Sequence, residues 1–244
     1  MSNCFDSTTN DFKVWRLLSR FDFESRPNAK AEVYSLNAVS WKNISHITPQ
    51  YRIPSSFIFK RQSIPFVNGA LHMIACDCTS LGKGTNLVLV FDVKDENFRE
   101  ILLPDCLMNY DSECMLFVIA YGQSIAVVHI YETAMKNDIW VMKEYGVYNS
   151  WTNLGKLHNE DRASAAMFFR KNGQFMMDSF GKFFSFDFAT QSFTHLFPDL
   201  EEIKAIQGTV GTVERWPASV FTYMETLALL DRGNLKMNQA SRKI

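Results

Sequence analysis

Three residues of the types that hold zinc follow one another closely in the sequence: His72, Cys76 and Cys78. A structural zinc site needs about four Cys or His ligands at workable spacing, and no second pair lies near these three. If this segment is a β-strand, the three side chains lie on one face of the sheet together with Ile74. The pattern therefore favours small buried side chains, and the sequence predicts neither a metal nor a cofactor.

Catalytic chemistry has equally little support in the residue patterns. The sequence contains no nucleophile elbow, no phosphate-binding loop and no dinucleotide fingerprint. Two carboxylates flanking a sugar linkage would be needed for glycoside hydrolysis, and Asp92 and Asp187 are acids of the right type. Both residues, however, stand at the same place in a repeated pattern, and only one copy of a repeated residue can face a given substrate. Both are interpreted as structural, and the chain is predicted not to be an enzyme.

The composition indicates a packed, β-rich protein. Of its 244 residues, 47% are hydrophobic and 14% are aromatic, and aromatic and β-branched residues favour strands. The formal net charge is −1, so no field of one sign attracts nucleic acid or a membrane. The five cysteines do not form an even disulfide set, and the N-terminus has no signal-peptide pattern. We expect a cytoplasmic or nuclear protein that binds neither nucleic acid nor a membrane.

A hairpin-like pattern recurs four times. Three copies contain two aromatic residues seven positions apart, separated by polar turn residues, and the remaining copy, the third along the chain, has a longer approach to its second aromatic, Trp151. Such spacing predicts β-hairpins. The three aromatic pairs are Tyr34 with Trp41, Phe91 with Phe98, and Phe186 with Phe193. Upstream of three hairpins, an apolar run around a glycine predicts a second hairpin, so that one unit makes a four-stranded sheet.

The length of the repeat indicates the architecture. Successive units are 57, 53 and 42 residues apart, close to the blade lengths of kelch and WD40 propellers. The sequence therefore predicts an all-β, β-propeller-like fold with kelch-type blades, and a β-sandwich is the alternative. A further pair, Phe5 and Phe12, lies half a unit before Trp41, which predicts a propeller that is incomplete at its N-terminus. The second aromatics are predicted to pack as core between blades: Trp41, Phe98, Trp151 and Phe193.

Several segments resemble motifs of the plant F-box associated domains. Residues 10–16 (NDFKVWR) are similar to that family's "NDYKVVR", and residues 66–72 (FVNGALH) are similar to its "VFVNGALHW", with Met73 where Trp is usual. Residues 139–146 (IWVMKEYG) match a third motif. Further matches occur in the family's order at residues 32–36, 98–101 and 224–230. Each motif is short, but together they cover nearly the whole chain.

The resemblance implies a function. It implies a non-enzymatic substrate-recognition module of an F-box subunit in a cullin-based (SCF-type) ubiquitin ligase, with a protein substrate of ubiquitination as partner. The domain is expected over residues 1–231, followed by a short basic tail at 232–244. Family members begin with a helical F-box that docks the ligase's linker protein, so this chain is expected to bind the linker only if an F-box lies upstream. The alternatives are a carbohydrate-active or carbohydrate-binding propeller and a truncated, non-functional F-box paralogue.

Partner-binding residues are expected on the loops between strands, because loops carry most binding functions. The candidate loops are residues 49–63, 77–86, 105–113, 132–138 and 155–162. Four residues in them are of the types that dominate binding hot spots: Tyr51, Arg52, Arg61 and Tyr110.

Overall fold

Four antiparallel sheets of four strands each make up the described part of the chain. The computed structural model describes residues 2–18, 30–53, 64–77, 84–109, 114–131, 136–158, 167–170, 172–179 and 182–196. In each sheet the strands pair in chain order. This organisation confirms the predicted all-β, propeller-like fold.

The first two sheets come from the N-terminal part of the chain. The first sheet contains β1 (Ser2–Asp6), β2 (Asp11–Leu18), β3 (Lys30–Ser35) and β4 (Ser40–Asn43). The second contains β5 (Phe66–Val67), β6 (Ala70–Asp77), β7 (Thr85–Asp92) and β8 (Asn97–Leu102). The hairpin around Phe5 and Phe12, interpreted from the sequence as half a unit, supplies β1 and β2 of a sheet that also contains β3 and β4.

The third and fourth sheets follow a short helix, α1 (Asp105–Met108). The third sheet contains β9 (Cys114–Tyr121), β10 (Ser124–Tyr131), β11 (Lys136–Met142) and β12 (Trp151–His158). The fourth contains β13 (Met167–Phe169), β14 (Phe175–Ser179), β15 (Lys182–Asp187) and β16 (Ser192–His195).

The seven-residue aromatic spacing has a direct structural cause. Tyr34 pairs with Trp41 across β3 and β4, and the other two pairs lie in equivalent registers. The ring centroids within the three pairs are 5.3, 5.0 and 4.5 Å apart. Cross-strand aromatic contacts of this kind stabilise antiparallel pairs. The three predicted hairpins are therefore confirmed.

The aspartates of the repeat shape the turns. Asp92 Oδ1 accepts hydrogen bonds from the backbone N–H groups of Lys94 and Asp95, both at 3.0 Å. Asp187 Oδ1 accepts the equivalent bonds in the fourth sheet, at 2.8 and 3.3 Å. An Asp side chain in this position folds the backbone into a turn. The structural interpretation of both residues is confirmed.

Three apolar clusters hold the sheets together. One joins the first and second sheets, another the second and third, and the remaining one the third and fourth. Along β7, Leu89 and Phe91 point toward the first sheet, whereas Val88 and Val90 point toward the third. Because both faces of the second sheet are covered, β7 reads as an almost continuous apolar run. Small sheets packed face to face in succession are the arrangement of propeller blades.

The predicted core role of the second aromatics is wrong for two residues. Trp41 and Phe193 are 43% and 45% exposed; both lie on the last strand of a sheet, β4 and β16, and neither packs against any of the three clusters. Phe98 and Trp151 are half-buried against the clusters. The buried member of the pair is instead the one on the third strand: Phe91 and Phe186 are at most 3% exposed.

Charged groups also join the first and second sheets. Lys13 Nζ lies 3.1 Å from Asp6 of its own sheet and 3.3 Å from Glu96 in the turn of the second sheet. Lys42 pairs with the same Glu96 carboxylate. Lys13 Nζ also donates to the Val93 carbonyl at 3.2 Å. The side chains of Lys13 and Lys42, both in the first sheet, therefore bind the turn between β7 and β8 of the second sheet.

Candidate interaction surface

A long connection in the third sheet lies along the outer strand of the second sheet. The equivalent hairpins of the other sheets, β3–β4, β7–β8 and β15–β16, have turns of four residues, but residues 143–150 separate β11 from β12. Tyr148 Oη donates to Asp105 Oδ1 at 2.6 Å, and the indole Nε1–H of Trp151, the first residue of β12, donates to the Leu102 carbonyl at 3.0 Å. Both acceptors lie at the end of β8 or just beyond it. The connection is therefore anchored at two points on the neighbouring sheet.

Hydrogen bonds inside the connection fix its shape. The N–H of Val147 donates to the Glu144 carbonyl at 3.1 Å, and the N–H of Ser150 donates to the Val147 carbonyl at 3.0 Å. The Ser150 hydroxyl lies 2.7 and 2.8 Å from the carbonyls of Val147 and Glu144. Gly146 has a φ of 83°, a conformation that favours glycine. The connection is thus preorganised, which lowers the entropic cost of binding a partner.

The anchored connection presents apolar and aromatic side chains to solvent. Leu102, Val147 and Tyr148 are 48%, 39% and 40% exposed, and Trp151 is half-buried beside them. We name this set of four residues the rim surface. Trp and Tyr are enriched among residues that dominate binding energy. Contiguous exposed apolar residues on a folded domain indicate an interaction site.

A polar relay, of which only His72 is fully buried, links the start of the connection to the second sheet. The Tyr145 hydroxyl lies 2.7 Å from His72 Nε2 and also bonds the Arg99 guanidinium. His72 Nδ1 lies 3.4 Å from the Pro65 carbonyl. Burial, together with the Arg99 charge, lowers the pKa of His72 to about 4, and burial raises the pKa of Tyr145. A neutral His72 therefore accepts from Tyr145, and the relay fixes the start of the connection against the second sheet.

Two of the four predicted partner-binding residues lie elsewhere. The Tyr51 hydroxyl donates to Glu100 at 2.5 Å, and this bond, with burial, raises the pKa of Tyr51 to about 12. Arg52 pairs with Cys76 through backbone bonds of 2.9 and 2.8 Å. Tyr51 packs against the cluster of the first and second sheets, on the side of β8 opposite Arg99. Arg61 and Tyr110 lie outside the described residues.

The candidate metal ligands are buried where the structure describes them. His72 and Cys76 are both inaccessible within β6, and Cys78 lies outside the described residues. Among the residues that are described, no group of three or more His, Cys, Asp or Glu side chains is placed to hold a metal ion. The His72 ring nitrogens are used by the relay instead.

Sequence reasoning missed the rim surface. Its residues come from β8, from the start of β12 and from a connection that was not among the candidate loops. The available signal was the longer approach to Trp151 in the third repeat, since an extended turn must lie against a neighbouring element. Within the described part of the chain, no helix is long and apolar enough to cross a membrane.

Four successive four-stranded sheets with apolar clusters between them define a β-propeller type of protein. The chain matches the F-box associated beta propeller domain over residues 3–229. It therefore belongs to the F-box associated β-propeller domain family.

Curated relatives of the chain are F-box proteins. It is 24% identical over 159 residues to the F-box protein CPR1 of Arabidopsis thaliana, covering 62% of this chain and 38% of CPR1. It is 30% identical over 152 residues to the F-box protein At3g07870 of the same plant, covering 59% of this chain and 33% of the relative. The chain thus spans about a third of the length of these relatives. A solved structure of Porphyromonas gingivalis dipeptidyl peptidase 4 matches 82% of this chain and 40% of its own at 8% identity, with a TM-score of 0.45.

Proposed function

We propose that this chain is a non-enzymatic recognition module that selects a protein for ubiquitination as part of an F-box subunit of an SCF-type ligase. Membership of the F-box associated family supports the class of function. The rim surface is the observation that carries the proposal, because it combines exposed aromatic and aliphatic side chains with an anchored backbone. Docking to the ligase's linker protein would require an F-box, and the site of action would be the cytoplasm or nucleus.

The chemistry of the rim surface suits a protein partner. Leu102 and Val147 are aliphatic, and Tyr148 combines an apolar ring with a hydroxyl that is already bonded to Asp105. Binding of a protein partner to such a surface is favourable because it removes apolar groups from water. The recognition domain is proposed to extend over residues 1–231, with 232–244 as a tail.

The test measures which proteins the module captures in plant cells. The chain is expressed behind an F-box, and proteins enriched with it are quantified by mass spectrometry in the wild type and in Leu102→Asp. A charge in the centre of an apolar interface should reduce capture of the specific partner about 30-fold, as expected for a hot-spot loss of about 2 kcal/mol. The same partner should lose ubiquitination in the variant.

The matched control is Val39→Asp. Val39 is 64% exposed in the turn between β3 and β4, so this variant also replaces an exposed aliphatic side chain by a carboxylate, but on another sheet. It should capture the partner as the wild type does. Equal capture by wild type, control and Leu102→Asp, with all three equally folded, would contradict the rim surface as the binding site.

A further inference from the structure

The outer edge of β8 is the longest regular outer strand edge among the described sheets. In its sheet β8 is the last strand, and it pairs with β7 over its full length of six residues. The last strands of the first and fourth sheets, β4 and β16, have four residues each. In the third sheet the register of β12 shifts beside Gly155, and such irregularities hinder further pairing at a sheet edge. No described strand pairs with the outer edge of β8.

Alternate residues of β8 direct their backbone groups toward this edge. The Val93 N–H donates to the Gly69 carbonyl at 3.1 Å, so Val93 and every second residue before it on β7 direct their backbone groups toward β6. The β8 residues opposite those positions are Phe98, Glu100 and Leu102. Because both backbone groups of a residue in an antiparallel strand point to the same side, the N–H and the carbonyl of these three residues point away from β7.

The third sheet occupies only one end of the edge. The Leu102 carbonyl accepts the indole N–H of Trp151 at 3.0 Å, which agrees with its outward direction. Within the described part of the chain, no group hydrogen-bonds the backbone N–H or carbonyl of Phe98 or Glu100. Each of these two residues therefore presents a donor and an acceptor at the edge. The backbone of another extended chain complements such a pattern.

The side chains beside the edge define the chemistry of that extended chain. Arg99 is exposed and its guanidinium bonds the Tyr145 hydroxyl, and no carboxylate of the described residues forms a salt bridge with it. On the other face of the sheet, Phe98 is half-buried against the cluster of the first and second sheets. Side chains directly opposite each other on neighbouring strands interact. A carboxylate opposite Arg99 and an apolar side chain opposite Phe98 therefore fit this edge.

A second copy of β8 fits the same edge poorly. Antiparallel pairing of two copies that sets Phe98 opposite Glu100 also sets one Arg99 opposite the other. Pairing centred on Glu100 sets two carboxylates opposite each other. Like charges directly opposite each other destabilise a pair of strands. The charges on β8 thus disfavour self-association and leave the edge to a different chain.

We propose that the outer edge of β8 binds an extended segment of the protein partner as a fifth strand of the second sheet. The segment carries a carboxylate opposite Arg99 and an apolar side chain opposite Phe98. Beyond Glu100 it reaches Leu102 and the rest of the rim surface, so that the edge and the rim surface form one continuous contact region. This inference rests on the proposed function and adds the conformation and the side-chain chemistry of what is recognised.

Peptide selection followed by hydrogen exchange tests strand addition to the full chain. Random peptides of about 12 residues, longer than a typical strand, are displayed on phage and selected on the purified protein. Enriched peptides should carry Asp or Glu next to an apolar residue. When such a peptide binds, the amides of Phe98 and Glu100 should change from fast to slow exchange with solvent. The amides of Arg99 and Ile101, which face β7, should exchange slowly with and without the peptide.

Glu100→Pro removes the outward N–H of the edge and no hydrogen bond to β7, since proline is tolerated where the N–H faces solvent. It should weaken peptide binding about 10-fold, as expected for the loss of one hydrogen bond. The matched control is His195→Pro, at the same position of β16 in the fourth sheet, and it should bind the peptide as the wild type does. If Glu100→Pro has a lower urea midpoint than the control, the peptide is changed instead. N-methylation of its amides that face β8 should abolish binding, and N-methylation of the alternate amides should not.

Four results would overturn the proposal. They are the absence of enriched peptides, unchanged exchange at Phe98 and Glu100 in the complex, equal binding by both proline variants or by both kinds of N-methylated peptide, and a free chain of dimer mass in which these two amides already exchange slowly. Failure of the proposed function gives a different result: peptides pair with the edge, but the chain captures no protein for ubiquitination in plant cells. Conversely, capture that depends on Leu102 without a change in exchange at Phe98 and Glu100 overturns strand addition alone.

Discussion

In the fourth sheet the repeated aromatic pair consists of two phenylalanines, of which one is buried and the other is exposed. Phe186 on β15 is 3% exposed and Phe193 on β16 is 45% exposed, and their rings are 4.5 Å apart. Replacing a buried Phe by Ala costs about 3–5 kcal/mol, because apolar burial is lost and a cavity is left. At a half-exposed position only part of the transfer free energy is lost and water fills the space, so the cost is about 1 kcal/mol. Both variants lose the contact between these two rings, and Phe186→Ala also loses a contact with Phe188, whose ring centroid lies 5.0 Å away, so the difference between them reports the buried packing of Phe186 as a whole.

Urea unfolding followed by circular dichroism measures this difference. With a slope of about 2 kcal/mol per M urea, Phe186→Ala should have a midpoint about 1 M or more below that of Phe193→Ala. Phe186→Leu serves as a milder variant if the alanine variant does not fold, and it should still be less stable than Phe193→Leu. Equal midpoints for the matched variants, or a larger loss at Phe193, would refute the assignment of the core to the third strand of the fourth sheet.

Three further predictions concern the turns and the buried ionisable groups. Val39 and Asn10 occupy equivalent turn positions with φ of 52° and 50°, where a β-branched residue is strained and Asn is tolerated. Val39→Asn should therefore raise the free energy of unfolding by about 1 kcal/mol, and Asn10→Val should lower it by a similar amount. Urea midpoints that move in any other direction would exclude backbone strain as the cause. Burial lowers the pKa of His72 from 6.5 to about 4, so between these pH values the unfolded chain binds a proton that the folded chain does not. The free energy of unfolding should therefore fall as the pH drops from 6.5 to 4. Urea midpoints measured across this range should decrease less for His72→Gln than for the wild type. Hydrogen bonds from Thr9, Lys13 and the backbone outweigh burial and lower the pKa of Asp6 from 3.8 to about 2. The stabilisation that the Asp6 carboxylate gives is therefore present above pH 3.8 and is lost as the pH falls toward 2. In this pH range the melting temperature of Asp6→Asn should fall less on acidification than that of the wild type, and an equal fall would contradict the lowered pKa.

Much of the fold can be read from the sequence because its hairpins are local. Tyr34 and Trp41 are joined by a single turn, so the spacing that places them in register is visible in the chain. The aspartate before the turn acts on N–H groups two and three residues later, which is also a local effect. Repetition of the unit then identifies the class of architecture without knowledge of any distant contact.

Burial of each aromatic could not be read in the same way. The sequence places Phe186 and Phe193 on one face of one hairpin, but the covering sheet decides which of them is hidden. The third strand lies inside the sheet and under its neighbour, whereas the fourth strand is at the edge. Aromatic residue types are favoured at both positions, so composition does not distinguish them.

The interaction surface depended even more on tertiary structure. Leu102 and Trp151 are 49 residues apart in sequence and meet through one hydrogen bond, and Lys13 meets Glu96 across 83 residues. Contacts of such separation form only when whole sheets pack, and no local pattern encodes them. By itself the sequence determined the hairpins, their turns and the family. Only the packing of one sheet on the next decided which apolar residues form the core and which form the rim surface.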